Sequence, residues 1–108
     1  MKLDYKYKAI AVNIASGNSL TVMVDLGFEV WIKVNVKLFG INTDLPNTKI
    51  GEKARDRLQE LLKDKEFYLT SMHLSKYGRC LAEIEVANIN VNEQLIQEDL
   101  ATIYLKNE

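Results

Sequence analysis

The first forty residues alternate between apolar and polar positions, interrupted only where the chain must turn. Strand formers Tyr5, Tyr7, Ile10, Val12 and Ile14 dominate residues 5–15, which run into Ser16-Gly17-Asn18-Ser19, a strong turn signal. Leu20, Val22, Val24 and Leu26 then alternate with Thr21, Met23 and Asp25, which predicts a second strand, and Gly27 marks the next turn. From Phe28 to Leu38 the alternation is unbroken, with Phe28, Val30, Ile32, Val34, Val36 and Leu38 set against Glu29, Trp31, Lys33, Asn35 and Lys37. Such a run predicts one long, half-buried strand, of the kind that curves through two parts of a small barrel.

The period then changes. Residues 40–49 carry Asn, Asp, Pro and Thr and read as a loop, in which Asn47 or Thr48 can cap a following helix. Ile50, Ala54, Leu58, Leu61 and Leu62 recur at spacings of three and four and predict the buried face of that helix. Glu52, Arg55, Asp56, Gln59 and Glu60 fill the opposite face. Residues 66–74 read as a strand with Phe67, Leu69, Ser71 and His73 on one side, and the turn at residues 75–78 leads to another strand over 79–88. Asn90-x-x-Glu93 resembles a capping box that opens a short helix through Val91, Leu95 and Ile96, and residues 101–105 finish the chain as a short extended piece. The expected order is β-β-β-α-β-β-α with no internal repeat. It predicts a mainly β (β+α) class: a five-stranded OB-fold barrel with two to three helices. The whole of residues 1–108 is expected to form a single domain.

Composition narrows the function more than the fold. Fourteen Lys+Arg against fifteen Asp+Glu leave a formal net charge of −1, which argues against gripping nucleic acid by bulk positive charge. Cys80 is the only cysteine, so no internal disulfide framework is possible. His73 is the only histidine, which excludes a Cys/His zinc site within one chain. No apolar run approaches the length of about 20 residues that a bilayer span needs. The N-terminal residues alternate and lack a signal-peptide core, so a cytoplasmic location is expected.

Four segments, taken together, resemble a known family. Val36-Lys37-Leu38-Phe39-Gly40-Ile41-Asn42-Thr43 is similar to the Arg-Leu-x-Gly-Ile-Asp-Thr-Pro-Glu segment of staphylococcal nuclease-like (thermonuclease) domains. Gly51-Glu52-Lys53-Ala54-Arg55 resembles that family's first helix, and Lys76-Tyr77-Gly78-Arg79-Cys80-Leu81-Ala82 resembles its Tyr-Gly-Arg-x-Leu-Ala signature. Val91-Asn92-Glu93-Gln94-Leu95-Ile96 with Leu100-Ala101 resembles its ending. The resemblance is collinear from about residue 8 to residue 105 and implies an OB barrel. It also implies calcium-dependent cleavage of DNA and RNA. That chemistry uses two Asp ligands for a hard cation, a Glu base and two Arg clamps on the phosphate.

Carried over one position at a time, the family pattern meets departures. The first Asp position is Asn18, the second is Asn42 beside Thr43, and the first Arg is Lys37. Arg79 keeps the second Arg, while the Glu has no counterpart: Leu45 or Asn47 stands there. Two neutral amides suit calcium poorly, and Lys does not reproduce the guanidinium fork. The resemblance also places Tyr77 and Tyr104 where a base could stack. Each of these residues has a plainer reading. Arg79 is either a phosphate ligand or a strand-end residue paired with an acid. Lys37 suits a solvated strand face, Asn18 a tight turn, and Asn42 an ordinary loop. Trp31 is either part of a partner surface or a residue turned back into the core. The expectation is a catalytically degenerate nuclease-like OB domain that acts by binding. A protein or small anionic ligand is favoured and nucleic acid is the weaker choice, with no membrane and no cofactor. One alternative is an active metal-dependent nuclease with a rearranged site, using Ca2+ or another divalent ion held by Asp44, Glu52 or Asp25. The other is a self-associating structural domain; the sequence leaves the oligomeric state open.

Overall fold

Five long strands form the body of the structure. A computed structural model describes residues 5–74 and 78–104. They are β1 (Tyr5–Ser16), β2 (Ser19–Asp25), β3 (Trp31–Leu38), β5 (Glu66–Leu74) and β6 (Cys80–Val86). Two-residue strands β4 (Ile41–Asn42), β7 (Ile89–Asn90) and β8 (Thr102–Ile103) accompany helices α1 (Lys49–Leu62) and α2 (Val91–Gln97). The sheet runs β3-β2-β1-β5-β6-β7 with antiparallel neighbours, and β3 also meets β6 in parallel through Val36–Cys80, Lys37–Leu81 and Leu38–Ala82. That last contact closes a five-stranded barrel of the OB type, with two helices, as the alternation of the strands predicts.

The core follows from register. Ala9 pairs with Val24 and with Phe67, Leu69 with Ile84, and Leu20 with Val36, so each row presents apolar side chains to the interior. Helix α1 covers one end with Leu58, Leu61 and Leu62, and α2 adds Val91 and Leu95. Register shifts in β1 fall between Ala11 and Asn13 and between Ile14 and Ser16. These bulges leave Val12 exposed and return Ile14 to the core.

Three expectations need correction. The third strand begins at Trp31 rather than Phe28, because Gly27, Phe28 and Glu29 all take positive φ and reverse the chain. Val30 N–H donates to the Gly27 carbonyl at 2.9 Å, and Gly27 N–H donates to Asp25 Oδ1 at 2.8 Å, which fixes the turn. The alternating pattern simply runs through a turn. Within α1, Ile50 is 52% exposed and Gly51 takes the buried position. A Cβ at Gly51 would lie 2.6 Å from the Leu45 carbonyl carbon, so the preceding loop packs directly on the helix backbone there. Finally, the last strand is shorter than residues 79–88: it ends at Val86, and Ala87 and Asn88 turn at positive φ.

The caps match the sequence signals. Thr48 caps α1, its hydroxyl accepting from Gly51 N–H at 3.0 Å, and Asn90 caps α2, its side chain accepting from Glu93 N–H at 3.1 Å. The two helices are clamped together. Arg57 Nε donates to Glu98 Oε1 at 2.8 Å and Nη2 to Oε2 at 3.0 Å, while Gln94 Nε2 donates to Oε2 at 2.6 Å. Among the described residues no helix is long and apolar enough to cross a membrane.

Candidate functional site

The β1–β2 turn carries the first candidate. Asn18 is 8% exposed, and its amide oxygen accepts from Ser16 Oγ at 3.1 Å and from Thr43 Oγ1 at 3.3 Å. Its carbonyl accepts from Leu38 N–H at 2.9 Å, which ties the turn to the end of β3. Gly17 makes this approach possible, since a Cβ there would lie 2.5 Å from Ala54 Cβ and push α1 away. A side-chain amide oxygen has two acceptor positions, and both are occupied by hydroxyls of the same chain.

Thr43 reaches Asn18, whereas Asn42 lies exposed in β4, paired with Thr102 of β8. That small pairing places the C-terminal segment beside β3. Tyr104 N–H donates to the Gly40 carbonyl at 2.8 Å, and Lys37 Nζ lies 5.6 Å from the centroid of the Tyr104 ring. Lys37 therefore leans on an aromatic face instead of pointing freely into solvent. Arg79 is exposed and directly precedes β6. The structure thus brings Lys37 and Tyr104 together beside the seam of the barrel, and Arg79 stands one residue before the strand that closes it. Tyr77 lies outside the described residues.

The three candidate acids sit in three different elements: the end of β2, the loop after β4 and the first turn of α1. Asp25 is at the opposite end of β2 from Asn18, roughly 20 Å of extended chain away, and serves the hairpin turn. Asp44 and Glu52 are both exposed. Among the described residues no group of three His, Cys, Asp or Glu side chains is placed to hold a metal ion. The donors at the family's calcium positions are two neutral amides and a hydroxyl, a set with no carboxylate charge to set against a divalent cation. Cys80 is buried and bonds Ser71 Oγ at 3.5 Å, and His73 is exposed. Sequence reasoning missed Ser16 and Thr43 as partners of Asn18. Only Ser16, two residues before Asn18 in a turn, carried a readable local signal.

A cleft of about 250 Å³ opens between β1 and α1, lined by Asn13, Arg55, Gln59 and Lys63 among others, and it includes neither Asn18 nor Lys37. Arg55 is anchored there, its Nε donating to the Ile14 carbonyl at 3.2 Å.

No curated protein matches the chain. The family described as staphylococcal nuclease homologue matches residues 35–108, a span that holds Lys37, Asn42, Arg79 and Tyr104 and excludes Asn18. With that match over most of the chain, and a closed five-stranded barrel of the kind that the family resemblance implies, the chain belongs to the staphylococcal nuclease homologue family.

Proposed function

We propose that this domain acts by binding, holding a phosphate-bearing ligand of nucleotide type at the barrel seam without hydrolysing it. The observation that carries this reading is Asn18. Its amide oxygen is spent on Ser16 and Thr43, so the position that should offer a carboxylate to a cation offers neither charge nor a spare lone pair. What the seam does offer suits an anion with a ring: the ammonium of Lys37, the guanidinium of Arg79, and the face of Tyr104. Lys37 and Tyr104 would hold phosphate and base side by side. Arg79 would add a second positive charge. With a net charge of −1, long-range attraction to a polynucleotide is weak, and this favours a small ligand or a strand end.

The test pairs binding with cleavage. Titration calorimetry with nucleoside monophosphates and a short single-stranded oligonucleotide should give saturable, salt-sensitive binding. Lys37→Ala and Arg79→Ala should each weaken it by about tenfold or more, the loss of one charge-assisted contact. The same oligonucleotide should stay intact in calcium, magnesium or manganese. Cleavage that needs a divalent ion and disappears in Arg79→Ala would overturn the reading in favour of a rearranged nuclease.

A further inference from the structure

The β2–β3 hairpin carries apolar side chains away from the core. Phe28 is 101% exposed, and Leu26, Val30, Trp31 and Ile32 are each 42–48% exposed. Summed over both faces of the hairpin they show on the order of 500 Å² of apolar side chain. Phe28 is held at φ 54, a left-handed conformation unfavourable for an aromatic residue, and its ring gains no burial in return.

A second feature coincides with the first. β3 meets β6 only through Val36, Lys37 and Leu38, and no described strand pairs with residues 31–35 on the side away from β2. Leu26 N–H donates to the Val30 carbonyl at 2.8 Å, so the even-numbered residues of β3 turn their backbone groups toward β2. Trp31, Lys33 and Asn35 turn theirs outward, and an outward-facing row of this kind is a template for another strand.

We infer that this edge receives a second copy of the chain, by antiparallel pairing of β3 with β3 about a two-fold axis through Ile32. Side-chain chemistry selects the register. An axis perpendicular to the sheet keeps inner face with inner face, so one residue must lie on it. With Ile32 there, Ile32 meets Ile32 of the second copy, Val30 meets Val34, and Trp31 meets Lys33. The first two contacts are apolar and the third sets an ammonium against an indole. Trp31 and Lys33 also exchange backbone hydrogen bonds, since both turn outward. Centring on Lys33 opposes two like charges. Centring on Trp31 draws in Glu29, which the turn holds at φ 62 and out of the ladder. Of the five apolar side chains, Val30, Trp31 and Ile32 lie along the paired segment, and those of both copies offer roughly 500 Å² beside the backbone pairing, which suits a weak, reversible dimer and falls well short of an obligate one. Lys37 lies at the other end of β3, so the seam stays open and this inference does not rest on what the seam binds.

Sedimentation velocity on the full chain from about 5 to about 500 µM tests it, a range suited to reversible association. The expected result is a monomer–dimer equilibrium with its midpoint inside that range. Ile32→Lys places two ammonium groups on the axis and should raise the midpoint about tenfold or more. Its urea midpoint as a dilute monomer should stay near that of the parent, because Ile32 is half exposed. Lys33→Pro removes one outward N–H while sparing the apolar surface, and should weaken the dimer likewise. Leu45→Lys, an exposed apolar position elsewhere, should leave the equilibrium unchanged. A chain that stays monomeric throughout, or a dimer indifferent to Ile32→Lys, would overturn the inference. So would a monomer that co-sediments with anionic lipid vesicles, which would assign the hairpin to a membrane surface.

Discussion

Replacing Gly51 by alanine should destabilise this protein, although the same change in most helices stabilises. An internal helical Gly→Ala gains about 1 kcal/mol from propensity. Here the new methyl would overlap the Leu45 carbonyl oxygen, and it would lie 2.6 Å from the Leu45 carbon and 2.8 Å from the Asp44 oxygen. These are backbone atoms, so no rotamer change relieves the overlap. Nor is the loop free to retreat: the Leu45 carbonyl accepts from Thr48 N–H at 3.0 Å and from Thr48 Oγ1 at 2.8 Å. Moving it by the ångström or so required breaks both bonds, at about 1 kcal/mol each. Residual overpacking adds about 1–3 kcal/mol. The losses exceed the propensity gain, and the net destabilisation is about 2–4 kcal/mol. Urea unfolding followed by circular dichroism reads this directly, as a midpoint lowered by roughly 1.5–3 M for a domain of this size. A Gly51→Ala variant as stable as the parent, or more so, would refute the reasoning, because it would mean that the loop does not rest on the helix.

Two further outcomes follow from polar contacts. Asn92→Ala should cost about 2–4 kcal/mol and lower the thermal midpoint by roughly 10–20 °C, because it removes three bonds made in the interior. The Asn92 side chain accepts from Ile84 N–H at 3.2 Å and donates to the Phe39 carbonyl at 2.9 Å and the Ala82 carbonyl at 3.2 Å. The Glu98 carboxyl titrates below its usual range, chiefly because Arg57 donates to it and then because Gln94 does. A depressed folded pKa means that the stabilisation is complete above the ordinary carboxylate range and fades as pH falls through the lowered value. The difference between the parent and Glu98→Gln, about 1 kcal/mol at neutral pH for this partly exposed pair, should therefore vanish in acid when unfolding is followed across pH.

The strands and caps were readable because each depends on local chemistry. Residues 66–74, Thr48 and Asn90 needed only alternation or a side chain able to accept from a helix N-terminus. The errors arose where distant chain intervenes. Ile50 has the right spacing for burial, yet the Leu45 carbonyl occupies that side of the helix and admits only Gly51. Phe28 and Val30 continue a period-two pattern that the backbone abandons for a turn. The candidate site was legible as residue types and not as an arrangement. Nothing local to Asn18 announces Thr43, and nothing local to Lys37 announces Tyr104. Both contacts exist only once the loop after β4 and the end of the chain have folded back onto β3.

The parallel contact between β3 and β6 has a consequence for how the barrel forms and opens. Only three residue pairs join these strands, and forty-four positions of chain separate Val36 from Cys80. The hairpins β1–β2 and β2–β3, by contrast, zip outward from short turns with seven pairs each, and six pairs join β1 to β5 across a still longer stretch of chain. With only three pairs to repay its loop entropy, the seam is the weakest ladder among the five long strands and the first of them to yield in the native state. Amide exchange at Phe39, whose N–H reaches across the seam to the Ala82 carbonyl at 2.8 Å, should outpace that at Val22 in the middle of β2. Lys37 belongs to the same ladder, so a ligand gripping Lys37 and Arg79 would bridge the two strands and slow that opening.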